Sequence, residues 1–588
     1  MNKNEMRTGA RALVESLAKA GTEVLFGYPG GQALDIFNCL TDAKFPFVLG
    51  RHEQGCVHMA DGYARSTGKP GVCLVTSGPG ATNTITGLAT ANIDGIPLVV
   101  ITGQVPMSLI GTDAFQEADT FGLSFPITKH SVMVKSAKEL LTAVPLAFAI
   151  AESGRPGPVL IDVPRNVQTE LCEVPEDFDT SFKRIYDEYL SHSVRNKTKE
   201  EDLPAVIDNI VSLLSKAKKP VLYIGGGCNS PKASERIREF LKVYDIPVIS
   251  SLMGLGVVRR DSPSFLGMVG MHGTFVSGKA AYESDLVIAA GSRFDDRAAG
   301  VPNGFCPNAK IIHIDIDAAE INKILSSSIS FVSDTAEAFE KINSALKNAD
   351  LSENKNERAQ WLKACVELKK QEKIELEMSC NAADCCGAKT CGKKDGANFR
   401  NPREFIQNLP SGDDIIVTTD VGQHQMWAAQ YFDVQRPRQF LTSGSLGTMG
   451  FGLPTALGAA FAEPEKRIIC ISGDGSILMN IQELATMAEN KLNVTVIVLE
   501  NGALGMVRQQ QEYLFNKHYS ASTFASNPDL LKIAEGFGIK AIDADADPEW
   551  EKKAFSVKGP VFVRTRIARC ENVLPFVKGG SLNIESLR

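Results

Sequence analysis

Apolar residues fall along this chain in short unbroken runs that end on Gly or Pro, each followed by a stretch of mixed polarity with helical spacing. GVCLVTSGPG, IPLVVITGQVP and GPVLIDVP are examples. Strands buried on both faces of a parallel sheet read this way, and their alternation with helical segments implies βαβ units. The pattern occurs in three blocks. The first runs to about Val167; the second begins with KPVLYIGGG at Lys219 and continues through DLVIAAG and KIIHIDID. The third begins near DDIIVTTD at Asp413 and continues through RIICISGDG, VTVIVLENG and GPVFVRT. Polar joins lie at about 180–202 and 350–400. The expected fold is α/β, with three doubly wound parallel-sheet domains over 1–185, 186–350 and 401–588 and a helical linker over 351–400.

Bulk properties narrow the class. A chain of 588 residues is too long for one hydrophobic core, and 44% apolar with 22% charged residues is ordinary for a soluble protein. A net charge of −7 gives no electrostatic reason to expect nucleic acid or an anionic membrane as partner. The opening MNKNEMRTGARALVESLAKAG has scattered charges and no continuous apolar core, so it reads as the first helix of the fold and not as a signal peptide. No stretch reaches the roughly 18 uninterrupted apolar residues of a membrane span. Most of the 13 cysteines sit in apolar runs, as Cys73 and Cys470 do, which points to a reducing, cytoplasmic setting.

The most informative stretch is RIICISGDGSILMNIQELATMAENKLNVTVIVLENGALGM. A strand over Ile468 to Ile471 runs into Gly473, Asp474 and Gly475, a helix-like segment follows, and a second strand from Val494 to Leu499 ends at Glu500 and Asn501. Both strand ends open on one edge of a parallel sheet, so Asp474 and Asn501 can converge there as oxygen ligands for Mg²⁺. The glycines let backbone amides approach a diphosphate, which the following helix N-terminus favours. By itself a GDG tripeptide is a turn. With a strand, a helix, a strand and a terminal Asn at this separation it resembles the thiamine-diphosphate fingerprint, which implies Ala503 as a main-chain ligand and Ser476 beside the phosphates. That fingerprint usually ends in two Asn residues; here the first is Glu500.

The first block contributes RHEQ, in which Glu53 follows a short strand and precedes a helix. Its plain reading is a helix N-terminal Glu favoured by the macrodipole. The segment is similar to the one that carries the activating carboxylate of thiamine enzymes, which acts at the aminopyrimidine N1′ and needs a raised pKa. The resemblance also implies that Glu and clamp meet across a subunit interface, hence a homodimer or tetramer.

Four long motifs narrow the resemblance: GQVPMSLIGTDAFQEADTFGLSFPITKH (Gly103 to His130), SLMGLG with FLGMVGMHGT (Ser251 to Thr274), GSRFDDR (Gly291 to Arg297) and GMVRQQQE (Gly505 to Glu512). Together they resemble the catalytic subunits of the acetohydroxyacid (acetolactate) synthase family, over nearly the whole chain. The resemblance implies decarboxylation of pyruvate on thiamine diphosphate and transfer of the hydroxyethyl unit to pyruvate or 2-ketobutyrate, in branched-chain amino-acid biosynthesis. It makes the three domains pyrimidine-binding, FAD-binding and diphosphate-binding in that order. It places Gly31, Phe115, Gln116 and Arg165 with Glu53 in the catalytic centre, and Gln423, His424, Met449 and Met506 against thiamine diphosphate. Met449 would enforce the folded shape of the cofactor, although core packing explains it equally from the residues alone. Pro106, Met268 and Gln510 would line the substrate channel.

In the middle block, VLYIGGG alone is weak evidence for a dinucleotide turn. The resemblance assigns an FAD site to Gly225, Gly226 and Gly227, to Leu252 and Met253, and to Gly270, His272 and Gly273. It adds Gly291, Arg293, Asp295 and Arg297, with Asp315, Asp334 and, from the first block, Arg155. Carboligation involves no net redox change, so the flavin would be structural or vestigial; the alternative is an empty domain that merely keeps the fold.

Gln510 stands where family members usually carry Trp, and Arg165 where they carry Lys. The first change implies a weakened preference for 2-ketobutyrate, since one methylene is worth only about 1–3 kcal/mol. Cys380, Cys385, Cys386 and Cys391 are no recognised family feature; they lack paired CxxC spacing and a nearby His, and read as a linker insertion. A regulatory small subunit is expected of relatives but has no signature in this sequence. The alternatives are another FAD-bearing thiamine enzyme, such as pyruvate oxidase or glyoxylate carboligase, and an inactive cofactor-binding paralogue.

Overall fold

The computed structural model describes residues 5–191, 197–381 and 399–588. Each of the three blocks forms a six-stranded sheet in which every pairing is parallel. The first sheet runs, edge to edge, Phe47–Leu49, Leu25–Tyr28, Gly71–Val75, Leu98–Gln104, Pro158–Pro164 and His130–Met133. The third runs Phe440–Leu441, Ile415–Thr419, Arg467–Gly473, Val494–Glu500, Val561–Arg566 and Lys540–Asp543. Numbered in chain order within each sheet, both read 2-1-3-4-6-5. The middle sheet runs Phe265–Met268, Val248–Ser250, Pro220–Ile224, Leu286–Ala290, Lys310–Asp315 and Ile329–Val332, or 3-2-1-4-5-6, the order of dinucleotide-binding domains.

The runs of apolar residues are strands because both sheet faces are covered. Gly71–Val75, Leu98–Gln104 and Pro158–Pro164 are buried at every position. Two corrections to the sequence reading follow. The described residues begin with a strand, Glu5–Thr8, paired antiparallel with Leu171–Val174, and the helix expected in this stretch spans Gly9–Lys19, capped by Thr8. The helix-like segment after Gly473 is two short helices, Asp474–Ile477 and Glu483–Glu489, so an anion there meets local amides rather than a long macrodipole.

The helix Phe178–Ser191 straddles the expected boundary near 185 and buries Phe178 and Phe182 in the first core. The helix Lys355–Asn381 packs on the middle domain, where Trp361 donates to the Pro220 carbonyl and Glu372 accepts the amides of Phe275 and Val276. Cys385, Cys386 and Cys391 lie outside the described residues, as does the side chain of Cys380.

The first and third domains pack through the helices Glu53–Thr67 and Gly452–Ala462. A Cβ on Gly62 would collide with the Thr455 carbonyl oxygen, and one on Gly458 with that of Met59, so these glycines permit backbone contact. One apolar cluster runs through this contact (Phe26, Met59, Leu453, Leu457, Cys470), and another joins the middle and third domains (Leu222, Phe240, Ile406, Trp427). A buried ion-pair group adds polar order: Arg65 pairs with Asp61 and Asp94 and donates to the Thr442 carbonyl at 2.9 Å. Asp94 in turn accepts the amides of Gly444 and Ser445. Among the described residues no helix is long and apolar enough to cross a membrane.

Candidate active site

The outer sheets carry candidate chemistry at the carboxyl ends of their strands, after the third and fourth strands in the third domain and after the first (Gly31) and second (Glu53) in the first domain. In the third domain Gly473 pairs with Leu499, so Asp474 and Asn501 leave the sheet at the same level. Asp474 is buried, and burial raises its carboxyl despite hydrogen bonds that favour the ionised form. Its Oδ2 accepts the Gly502 amide and the Asn527 side-chain amide, both at 2.7 Å. Asn501 Oδ1 accepts the Ala503 amide at 3.0 Å, and its Nδ2 reaches Gln423 Oε1 at 3.3 Å. Asn527 was not foreseen. Its part lies entirely in a hydrogen bond across the fold, for which periodicity and motif spacing carry no signal.

In the first domain Tyr28 pairs with Val75, and Gly31, Glu53 and Gln116 gather round the turn that follows. Glu53 Oε2 accepts Asn83 Nδ2 at 2.9 Å. A Cβ on Gly80 would lie 3.6 Å from Glu53 Oε1, and one on Gly78 would lie 2.9 Å from Gln116 Cα. Gln116 itself has φ +60°. Gly31 opens a 3₁₀ turn whose neighbour Gln32 receives a hydrogen bond at its carbonyl from Gln168 and donates its amide to Thr76 Oγ1. Phe115 is 85% exposed and Arg165 half-exposed, 3.8 Å from Asp35.

A cavity of about 900 Å³ lies where the three domains meet, with Arg65, Asp94 and Pro97 of the first domain in its wall. Gln423, His424, Met449, Gly473, Asp474, Gly475, Ser476, Asn501, Ala503, Met506 and Gln510 line its third-domain end. At the other end are Gly226, Gly227, Leu252, Met253, Met268, His272, Gly291, Arg293, Asp295, Arg297, Asp315 and Asp334, with Arg155 from the first domain. Glu53, Gly31, Phe115, Gln116, Pro106 and Arg165 do not line it. The first-domain group thus lies outside the lining of the cavity that holds the third-domain group. Gly225, Gly270 and Gly273 also fall outside the lining; they pack on main chain of Gly291, Arg297 and Met268, and so shape the wall without forming it.

The lining fits large polar ligands. His424 Nε2, Tyr223 OH, Ser292 Oγ and Trp427 Nε1 are all buried without a hydrogen-bond partner, and all belong to residues that line this cavity. Buried polar atoms are seldom left so unless a ligand or water meets them. Burial pushes His424 down to about 3 and His272 to about 4, so both are neutral. Asp315 is raised to about 6 by burial, and Asp295 and Asp334 cap helices, accepting the amides of Arg297 and Ala298 and of Ala336 and Glu337. Arg155 reaches Glu320 and the Ile93 carbonyl, and Arg293 the same carbonyl and Ser445. Among the described residues no group of three or more His, Cys, Asp or Glu forms a metal cluster. Asp474, Asn501 and the Ala503 carbonyl are instead a sparse oxygen set, which suits Mg²⁺ completed by phosphate and water.

Three family matches tile the chain: thiamine pyrophosphate enzyme N-terminal TPP binding domain over residues 7–123, central domain over 207–342, and C-terminal TPP binding domain over 420–565. The acetolactate synthase isozyme 2 large subunit of Escherichia coli (strain K12) is 42% identical over 583 residues, covering 98% of this chain and 99% of its own. The isozyme 1 large subunit of the same organism is 40% identical over 584 residues, covering 98% and 97%. The acetolactate synthase of Arthrospira platensis is 42% identical over 595 residues, covering 99% and 97%. With its three thiamine-enzyme domains and full-length similarity to these proteins, the chain belongs to the acetolactate synthase large-subunit family of thiamine-diphosphate enzymes.

Proposed function

We propose that the chain catalyses the acetolactate synthase reaction in the cytoplasm, for branched-chain amino-acid biosynthesis. It decarboxylates pyruvate on thiamine diphosphate and transfers the hydroxyethyl unit to pyruvate, giving acetolactate, or to 2-ketobutyrate, giving acetohydroxybutyrate. The observation that carries this reading is that two sheets of one topology each gather candidate residues at the carboxyl ends of their strands, one with Glu53 and the other with Asp474 and Asn501. When bound, thiamine diphosphate supplies the electron sink. Asp474, Asn501 and the Ala503 carbonyl would hold Mg²⁺, and the lone nitrogen of His424 and the Ser476 region would face the diphosphate. Glu53 would hold the proton shared with N1′ of the aminopyrimidine, with Gly31, Phe115 and Gln116 close to the reacting carbons. The middle-domain end of the cavity would hold FAD in a structural role, its unpartnered Tyr223 and Ser292 hydroxyls available to the flavin.

A second chain completes the centre. Exposed apolar side chains flank both half-sites, Phe125 and Leu34 at 67% and 53% on one, Met479 at 53% on the other, as an interface requires. A homodimer is the smallest active unit, a tetramer a doubling of it, and a regulatory small subunit a further partner, in keeping with relatives named as large subunits.

An acetolactate assay with pyruvate, omitting thiamine diphosphate, Mg²⁺ and FAD in turn, tests the reading; product formation should need each of them. No acetolactate under any condition would overturn it. Gln510 faces the cavity with an amide. With pyruvate and 2-ketobutyrate at equal concentration, acetolactate should therefore predominate, and a large excess of acetohydroxybutyrate would contradict that preference.

A further inference from the structure

Glu483 is a fully buried acid that no step above uses. It begins the helix Glu483–Glu489, which follows the diphosphate clamp in the third domain, yet its carboxylate points into the first domain. Oε1 accepts the Arg51 amide at 2.9 Å, and the His52 amide also favours its ionised form. Oε2 accepts the Thr486 hydroxyl at 2.9 Å, and that hydroxyl also lies 3.2 Å from the Leu49 carbonyl. One turn further along, Glu489 pairs with the Arg51 guanidinium. The side chain of His52 caps the amide of Gln54 at 3.1 Å. Thus the amides of Arg51 and His52, which lead into the helix Glu53–Thr67, are satisfied from another domain, while the Gln54 amide in its first turn is capped locally by His52.

Space for this carboxylate is built in. A Cβ on Gly55 would meet Oε1 at 2.5 Å, Cδ at 3.0 Å and Cγ at 3.2 Å, all of Glu483. Burying an acid is costly unless its oxygens are used, and burial pushes Glu483 up to about 7 even with these donors. Retaining a carboxylate where an apolar residue would fill the same volume points to a positional task.

We propose that Glu483 is a positioning residue for Glu53: by gripping the amides of Arg51 and His52 it fixes the strand-to-helix turn from which Glu53 projects. The inference rests on the reading of Glu53 as the activating carboxylate. Because the same helix follows the Asp474 clamp, one chain ties the element that binds diphosphate to the turn that carries the acid.

The test is a double-mutant cycle on the holoenzyme, scoring kcat, KM for pyruvate and the thermal midpoint. A misplacement of about 1 Å costs up to roughly a hundredfold in rate, so Glu483→Gln should lower kcat by about ten- to a hundredfold, with KM changed less than about threefold. In a Glu53→Gln background the same substitution should have no further effect. Gly55→Ala, whose methyl would have Oε1, Cδ and Cγ of Glu483 as its nearest neighbours, should reproduce the loss of kcat in a chain that still folds. It decides the matter if Glu483→Gln fails to fold. Equal losses in both backgrounds, or unchanged kcat in Gly55→Ala, would overturn the proposal. Full activity in Glu53→Gln alone would instead overturn the reading of Glu53 on which it rests.

Discussion

Glu500 occupies a position where thiamine enzymes usually have Asn, and its surroundings explain how an extra charge is accommodated beside the clamp. Its Oε2 pairs with Arg564 at 3.0 Å, and Arg564 also engages Asp543. Its Oε1 accepts Asn527 Nδ2 at 3.2 Å, the same nitrogen that donates to Asp474 at 2.7 Å. Asn527 therefore separates two carboxylates and orients the one proposed to ligate Mg²⁺. Loss of such an outer partner typically weakens a metal site by about 10–100-fold. Asn527→Ala should raise the Mg²⁺ concentration needed for half-maximal activity by that order, whereas unchanged Mg²⁺ dependence would remove Asn527 from this role. Asp162 offers a test without cofactor. It accepts Thr102 Oγ1 at 2.7 Å and Gln104 Nε2 at 3.0 Å, and burial pushes its carboxyl up to about 7 from an ordinary 3.8. Between these values the folded chain keeps a proton that the unfolded chain gives up, so the stability Asp162 contributes is full below about pH 4 and lost as pH rises through about 7. Asp162→Asn removes this dependence. Its Tm relative to the parent should rise from about pH 5 to about pH 8, and a pH-independent difference would contradict the assignment.

At the scale of elements, the strands were legible because parallel strands covered on both faces must be apolar throughout, as Gly71–Val75 and Pro158–Pro164 are. The clamp was legible for a related reason, since Asp474 and Asn501 each follow such a strand directly. What pattern does not carry is pairing. Glu5–Thr8 is a strand only because Leu171–Val174 lies beside it, and neither orders 2-1-3-4-6-5 and 3-2-1-4-5-6 nor the reach of Glu483 to Arg51 is written in any local period. Helix packing is likewise a matter of distant contact. Gly458→Ala places a methyl against the Met59 carbonyl and should cost about 1–3 kcal/mol. Gly536→Ala, in the helix Leu530–Gly536 with open space around it, should be neutral or stabilise by up to about 1 kcal/mol. Comparing their thermal midpoints isolates the interdomain contact; equal shifts would mean that the close approach of the helices Glu53–Thr67 and Gly452–Ala462 is not what those glycines serve.

At the scale of the whole molecule, the first and third domains share a topology and an apolar seam, while the middle domain supplies the far wall of the cavity. In the proposed reading each chain supplies the acid, Glu53, to one centre and the residues that would hold Mg²⁺, Asp474 and Asn501, to another. The account therefore turns on a centre assembled from two chains, and mixing two impaired variants tests that directly. Glu53→Gln and Asp474→Asn should each alone leave only a small, measurable residual rate of acetolactate formation. In a mixed dimer one centre combines both lesions and the other has neither. Co-expression in equal amounts should thus restore about a quarter of the parental activity, half the dimers being mixed with one intact centre of two. If the co-expressed variants form mixed dimers and remain at the residual rate, Glu53 and Asp474 of one chain serve a single centre, and the account is wrong.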